Sequence, residues 1–411
     1  MNGEKGIFAR RFLPALLLLG CGEAARSTAS HDPTGPVEIR VLDQVGEAVP
    51  STALLVDGAL VTTDALGLVL TAPAPARYDV ALVIDGVVYA FSGLTTRRAE
   101  LRLRQSVAAE RTSYATVELE APQGLGPAER VFFWAGVDDL PAAAQSSEFG
   151  DDAAARYVRT TWHGSAAVVL STQAVVAELD PEQRGVIGYS AYAESSFELF
   201  PDDYAFWQPD FAPVPFDTVP IHVETDADAP AVTFDASVSG AAGLLGETAF
   251  VSKAVAADLP VLALPAVRYY VRASGEQTGG HFIAEERDVE AGASIVLHAP
   301  PAPQALAPES GATIDLDTDF AWTPAEGGIY RLHVYADDGA EPFFQYDIAT
   351  AEPTARLPDL APLGFAFPAG RTLAWELYAE LGHASLATYA AGEPSHGQGY
   401  ANTRLAVGAS P

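Results

Sequence analysis

The sequence predicts an all-β protein, a tandem array of β-sandwiches behind an N-terminal export signal. Apolar and polar residues alternate in short runs such as Val37-Glu-Ile-Arg-Val41 and Leu101-Arg-Leu103, the period of half-buried strands. Asp57-Gly58 and Asp85-Gly86 each lie between two apolar runs, where a two-residue hairpin needs positive φ. Cys21 is the single cysteine in 411 residues. Disulfides are therefore excluded, and each sandwich must be held by its own core, for which 49% apolar residues supply the material.

The first twenty residues run from a basic start (Lys5, Arg10, Arg11) through an apolar stretch, Phe12 to Leu19, to Gly20-Cys21. That is the order of a secretory signal peptide. The apolar stretch falls well short of the ~20 residues a membrane-spanning helix needs. Leu18-Leu19-Gly20-Cys21 resembles the lipobox of bacterial lipoproteins. The resemblance implies cleavage before Cys21, lipidation of that cysteine, and anchoring by its acyl chains. Gly22 stands where an Asp would imply retention at the inner membrane, so the implied location is the cell outer membrane. Residues 21–35, rich in Ser, Thr, Asp, Pro and Gly, read as a tether.

Cleavage removes three basic residues and one acidic residue, moving the net charge from −31 to −33. Such a surface repels nucleic acid and anionic headgroups and favours cationic or divalent partners. No second apolar run long enough to span a bilayer comes after the signal.

Four modules are expected along the chain. Residues 36–105 carry Val37-x-Ile39-x-Val41-x-Asp43-x-x-Gly46, Val49-Pro50 and Thr62-Thr63-Asp64-Ala65-x-Gly67. This pattern resembles the carboxypeptidase regulatory-like, transthyretin-like sandwich, an accessory module in that family. Residues 106–225 and 226–301 show weaker strand signals and are divided at the acidic, Pro-containing Asp226-Ala-Asp228-Ala-Pro230. Pro300-Pro-Ala-Pro303 is a stiff linker. Residues 302–411 contain Phe320-Ala-Trp322-Thr-Pro324, Tyr330-Arg-Leu-His-Val-Tyr335 and Leu373-Ala-Trp375-Glu-Leu377, and resemble a fibronectin type III domain within the wider Ig-like class. That resemblance makes Trp322 an inter-sheet core residue and puts Trp375 on a later central strand.

Compact catalytic motifs are missing: there is no Gly-x-Ser-x-Gly elbow, no His-Glu-x-x-His and no phosphate-cradling glycine loop. The chain is therefore expected not to be an enzyme, and no cofactor is implied. Asp315, Asp317 and Asp319 have EF-hand carboxylate spacing, but Phe320 occupies the position that requires glycine. Glu224, Asp226 and Asp228 are the better calcium candidates, because carboxylates in an interdomain linker can clamp Ca²⁺ with hard oxygen ligands. Their arrangement resembles the calcium linker of cadherins, with Asp228 where that motif has Asn. Phe200 to Phe211 gathers aromatics beside Asp202, Asp203 and Asp210. Tyr204, Phe206 and Trp207 are the candidate ligand-binding residues there, with an exposed Tyr204/Trp207 platform expected if the ligand is a sugar.

The functional expectation is a membrane-anchored envelope lipoprotein acting as a binding or structural module toward an envelope protein or polysaccharide. The alternatives are a carbohydrate-binding lipoprotein and an accessory subunit of an envelope enzyme.

Overall fold

The computed structural model describes residues 36 to 408 apart from 44–45, 74, 105–111, 121, 123, 137–148, 151–155, 164–165, 181, 183–184, 241–242, 254, 265–266, 279, 326–327, 337–344 and 394–396. Cys21 and the tether lie outside the described residues. Within them the chain is all-β, with one short helix, Leu386–Ala390, and one 3₁₀ turn, Ala361–Leu363. Among the described residues no helix is long and apolar enough to cross a membrane.

The first sandwich packs Leu68–Pro73, Pro36–Leu42 and Arg98–Arg102 against Val87–Leu94, Tyr78–Ile84, Ala53–Val56 and Ala59–Thr62. Both Asp-Gly pairs form the expected hairpins. Asp57 and Gly58 have φ of 47° and 76°, Asp85 and Gly86 of 49° and 81°, so Val56 pairs with Ala59 and Ile84 with Val87. In the Thr63 to Gly67 turn, Asp64 Oδ1 accepts from the N–H groups of Leu66 and Leu68 at 2.8 and 3.0 Å. Gly67 has φ +69°, and a Cβ there would lie 2.6 Å from the Val41 carbonyl oxygen. Conformation and space both demand glycine.

In the second sandwich, Phe149–Gly150, Glu129–Gly136, Val168–Leu179, Val186–Leu199 and Ala212–Pro213 face Arg156–His163, Thr112–Leu119 and Tyr204–Trp207. The third opposes Ala256–Leu262, Thr218–Thr225 and Ser294–Leu297 to Gly243–Lys253, Val232–Gly240, Arg268–Gln277 and Gly280–Val289. Among the described residues Thr218–Thr225 pairs with strands of this third unit. This strand, placed before the division at 225/226 by composition, thus hydrogen-bonds to Ala256–Leu262 and Ser294–Leu297. The acidic segment that reads as a hinge comes after a strand of the third sandwich instead of preceding its first.

The fourth sandwich sets Ala305–Ala307, Phe320–Trp322 and Thr354–Ala355 over Gln345–Thr350, Ile329–Ala336, Thr372–Leu381 and Gly397–Gly408. Trp322 and Trp375 are both buried in its core. Their rings meet Tyr330 and Phe320 at 5.3 and 5.4 Å.

The sandwiches are not beads on a string. Gln345–Thr350 pairs in parallel with Val87–Leu94, from Gln345 opposite Val87 to Thr350 opposite Ser92. Gly280–Val289 pairs antiparallel with Gly397–Gly408. One 13-stranded sheet thus runs through the third, fourth and first sandwiches. The fourth, last in sequence, lies between the other two. Strand Val87–Leu94 is buried on both faces: Tyr89 and Phe91 enter the first core, Val88 and Ala90 the fourth. Helix Leu386–Ala390, capped by Ser385, crosses back from the fourth unit and places Leu386, Tyr389 and Ala390 in the core of the first. The second unit joins the third face to face. Phe132, Val175, Ala177 and Tyr192 pack into the core of the third, while the alternating Val131, Phe133, Ala174 and Val176 fill their own.

Candidate functional site

The three calcium candidates are brought near one another in sequence but not in coordination geometry. Glu224 points outward from strand Thr218–Thr225, where its Oε1 lies 3.2 Å from His222 Nε2, with Asp258 2.9 Å from the other ring nitrogen. These two carboxylate contacts raise the His222 pKa. Asp226 already uses both oxygens: Oδ1 accepts from the Ala299 N–H at 2.7 Å and Oδ2 is 3.0 Å from His298 Nδ1. Burial alone would raise its pKa, but these hydrogen bonds outweigh burial and hold it below the usual carboxylate range. Among the described residues no group of three or more His, Cys, Asp or Glu side chains could hold a metal ion. Of the expected Glu224, Asp226 and Asp228 set, Glu224 lies against His222 and Asp226 against His298.

The aromatic candidates divide by strand alternation. Residues 204–207 form a strand parallel to Thr112–Leu119. Trp207 turns inward, with its ring 5.6 Å from Phe133 and 6.3 Å from Phe197, and is 7% exposed. The expected Tyr204/Trp207 platform is therefore absent, since residues three apart on a strand point to opposite faces. Tyr204 and Phe206 point outward, 57% and 54% exposed.

They are not alone on that face. On the central strand Ala115, Val117 and Leu119 are buried, leaving Tyr114, Thr116 and Glu118 on the outside; on the far strand Trp162 is buried and Tyr157 is exposed. The register sets Phe206 and Tyr157 on either side of Glu118, and Tyr204 beside Thr116. Two inter-strand spacings separate Phe206 from Tyr157 by about 10 Å. The Tyr157 hydroxyl donates to Glu118 Oε1 at 3.3 Å. The turn carrying exposed Phe200 is tied to this edge by the Asp202 N–H, which donates to the Tyr114 carbonyl at 2.7 Å. Tyr114 and Tyr157 escape a reading of the sequence by local aromatic density, although the alternation Tyr114-Ala-Thr-Val-Glu118-Leu already places Tyr114 opposite the core.

A second polar site lies where the first and fourth sandwiches meet. A cavity of about 360 Å³ is lined in part by Tyr89, Arg104, Asp347, Glu380, His383 and Tyr389. Arg104 Nη2 donates to Glu380 Oε1 at 3.1 Å and to the Tyr389 hydroxyl at 2.7 Å. Gln398 Nε2 donates to the same Glu380 oxygen at 3.2 Å, and His383 Nε2 lies 3.6 Å from Oε2. The Arg331 Nε–H is shared between the two Asp347 carboxylate oxygens at 2.9 and 3.1 Å. Burial pushes the Tyr89 hydroxyl up to about 12. Opposite charges are matched within this cluster. These contacts form a polar seam between the two sandwiches.

No protein-family model and no curated protein sequence matches the chain. Among solved structures it is similar to the Bacillus anthracis TIE protein, at 12% identity over 64% of this chain and 50% of that one, with a TM-score of 0.17. It is also similar to BcpA, the major pilin subunit of Bacillus cereus, at 8% identity over 64% and 99% of the two chains, TM-score 0.15. A streptococcal ancillary pilin is 10% identical over 67% and 93%, TM-score 0.16. The chain spans about half the length of the TIE protein.

Proposed function

We propose that this chain is an envelope lipoprotein, held by lipid on Cys21, that binds a neutral or amino-bearing polysaccharide on the outer face of its second sandwich. The observation that carries the reading is the exposed aromatic face of Tyr114, Tyr157, Tyr204 and Phe206 around Thr116 and Glu118. Aromatic rings stack on the apolar C–H faces of sugars, and the carboxylate and hydroxyl between them supply hydrogen bonds to sugar hydroxyls. Exposed aromatics in such density mark recognition surfaces more than ordinary solvent-facing sheet. The net charge of −33 after cleavage turns away anionic polymers. No catalytic step is assigned.

Affinity electrophoresis through gels loaded with neutral envelope polysaccharide or with chitosan tests the binding. The chain should be retarded, and the triple substitution Tyr157→Ala/Tyr204→Ala/Phe206→Ala should abolish retardation while shifting stability by no more than about 0.5 kcal/mol, because all three rings face solvent. Equal retardation of the variant would refute the assignment. Anchoring is tested separately by fractionation: Cys21→Ser should move the protein from membranes to the soluble envelope fraction, and a variant that stays membrane-bound and normally processed would show that the cysteine is not the anchor.

A further inference from the structure

Where the third and fourth sandwiches share their sheet, the face turned away from their cores carries a trough. Two adjoining cavities of about 440 and 270 Å³ have Ile283 and Gln398 in common, and domain junctions are where ligand sites concentrate. The floor is one line of side chains set by strand register: Thr233 lies opposite Ser274, Ser274 opposite Ile283, Ile283 opposite Gln398 and Gln398 opposite Glu380. The residues that alternate with them, Phe234, Ala273, Phe282 and Ala379, fill the two cores, so the line faces outward. Thr233 is exposed, and Ser274, Ile283 and Gln398 are half-buried. The line crosses four inter-strand spacings, about 19 Å. At its Glu380 end the first sandwich closes it, where Arg104 donates to that carboxylate at 3.1 Å.

The chemistry of the line selects its ligand. All five strands are paired on both sides, so their main-chain groups are taken up by the sheet and a peptide has no edge to extend. The floor offers the hydroxyls of Thr233 and Ser274 and the amide of Gln398, which is held in place by its Nε2 donating to Glu380 at 3.2 Å. Ile283 and the flanking Tyr378 ring supply apolar surface of the kind that meets the C–H face of a sugar. Each carboxylate on the walls already holds a donor: Glu380 that of Arg104, Glu276 the His281 ring at 2.9 Å, and Glu285 the Tyr270 hydroxyl. Fixed hydroxyls, an amide and partnered carboxylates in a straight row suit an extended chain of hydroxyl groups and give no counter-charge to an anion.

We infer that this trough binds an uncharged, extended β-1,4-linked oligosaccharide of about four sugar residues, the length that four strand spacings accommodate. The chain lies across the strands with one end against Arg104. Because the first sandwich closes that end, the trough takes a short oligosaccharide or a chain terminus and not the interior of a long polymer. The site is independent of the aromatic face on the second sandwich.

Isothermal titration calorimetry with cellotetraose and with N-acetylated chitotetraose tests this, using the full chain carrying Tyr157→Ala/Tyr204→Ala/Phe206→Ala so that the aromatic face cannot contribute. At least one of the two should bind, and tetragalacturonate, of equal length but anionic, should not. Thr233→Val/Ser274→Ala, which removes two hydroxyls and keeps their shape, should weaken binding about tenfold, the expected loss for two hydrogen bonds. Thr218→Val/Ser294→Ala, the same change at exposed positions of the covering sheet of the third sandwich, should alter it less than about twofold. Ser274→Trp fills the trough and should abolish binding, with circular dichroism reporting its fold. Failure of both neutral tetrasaccharides to bind, equal weakening by the two hydroxyl pairs, or undiminished binding by Ser274→Trp would overturn the inference. Tetrasaccharide binding by the unsubstituted chain that vanishes with the three aromatic rings would also overturn it, while leaving the reading of the second sandwich intact.

Discussion

Replacing Val88 with aspartate should unfold the first and fourth sandwiches together. Val88 belongs to the first unit by sequence, yet its side chain is fully buried in the cluster that contains Tyr346, Leu332 and Trp375 of the fourth. An unpaired carboxylate placed there costs on the order of 3–5 kcal/mol, a large fraction of the roughly 5–15 kcal/mol that stabilises a typical domain. The strand carrying it is hydrogen-bonded to Gln345–Thr350, so loss of the local packing also frees the edge of the fourth sheet. Hydrogen exchange measures this directly. Pro36–Leu42 and Ile329–Ala336 should lose protection in parallel, while Val168–Leu179 in the second sandwich keeps it. Loss confined to Pro36–Leu42 would mean that the first sandwich stands alone and that the shared core contributes little.

The same strand shows what sequence can and cannot disclose. Period-two alternation identifies strands with one wet face, and Asp-Gly pairs identify hairpins, because both depend on residues close in the chain. Val87-Val-Tyr-Ala-Phe91 and Ala174-Val-Val-Ala177 break the alternation. An unbroken apolar run signals burial on both faces, but not the partner that covers the second face. Those partners are about 250 residues away for Val88 and about 50 to 120 away for Val175. The surroundings of residue 225 are hidden for a related reason: Asp226 and Pro230 look like a hinge by composition, and the pairing of Thr218–Thr225 with Ala256–Leu262 and Ser294–Leu297 is between residues far apart in the chain. At the aromatic site, local density flags Tyr204, Phe206 and Trp207 together, and the two-residue repeat then separates the outward pair from the inward Trp207. Tyr114 and Tyr157 join them only through register, which no local window contains.

Glu380→Leu should cost about 3 kcal/mol at neutral pH and flatten the acid limb of the stability profile. The carboxylate is the acceptor shared by Arg104 and Gln398 at the seam, with His383 beside it. Removing it leaves the Arg104 charge without its partner; because Arg104 is 46% exposed, the loss falls at the low end of the range for a broken buried pair. Burial raises the Glu380 pKa, but His383 and Arg104 together more than offset this, so the folded chain holds it below the ordinary carboxylate value. Its contribution is therefore fully present above the unfolded pKa of about 4.3 and is lost as pH falls through the lower folded value. His333 acts in the same direction at higher pH. Burial depresses its pKa, so the unfolded chain takes up a proton first as pH drops through about 6.5, and stability falls there as well. Urea midpoints from pH 7 to pH 3 should decline in two stages, with Glu380→Leu removing the lower and His333→Gln the upper. A profile of unchanged shape in both variants would place the acid sensitivity elsewhere. Because Glu380 sits where the first and fourth sandwiches join, the lower stage should loosen that junction before acid reaches the aromatic face of the second.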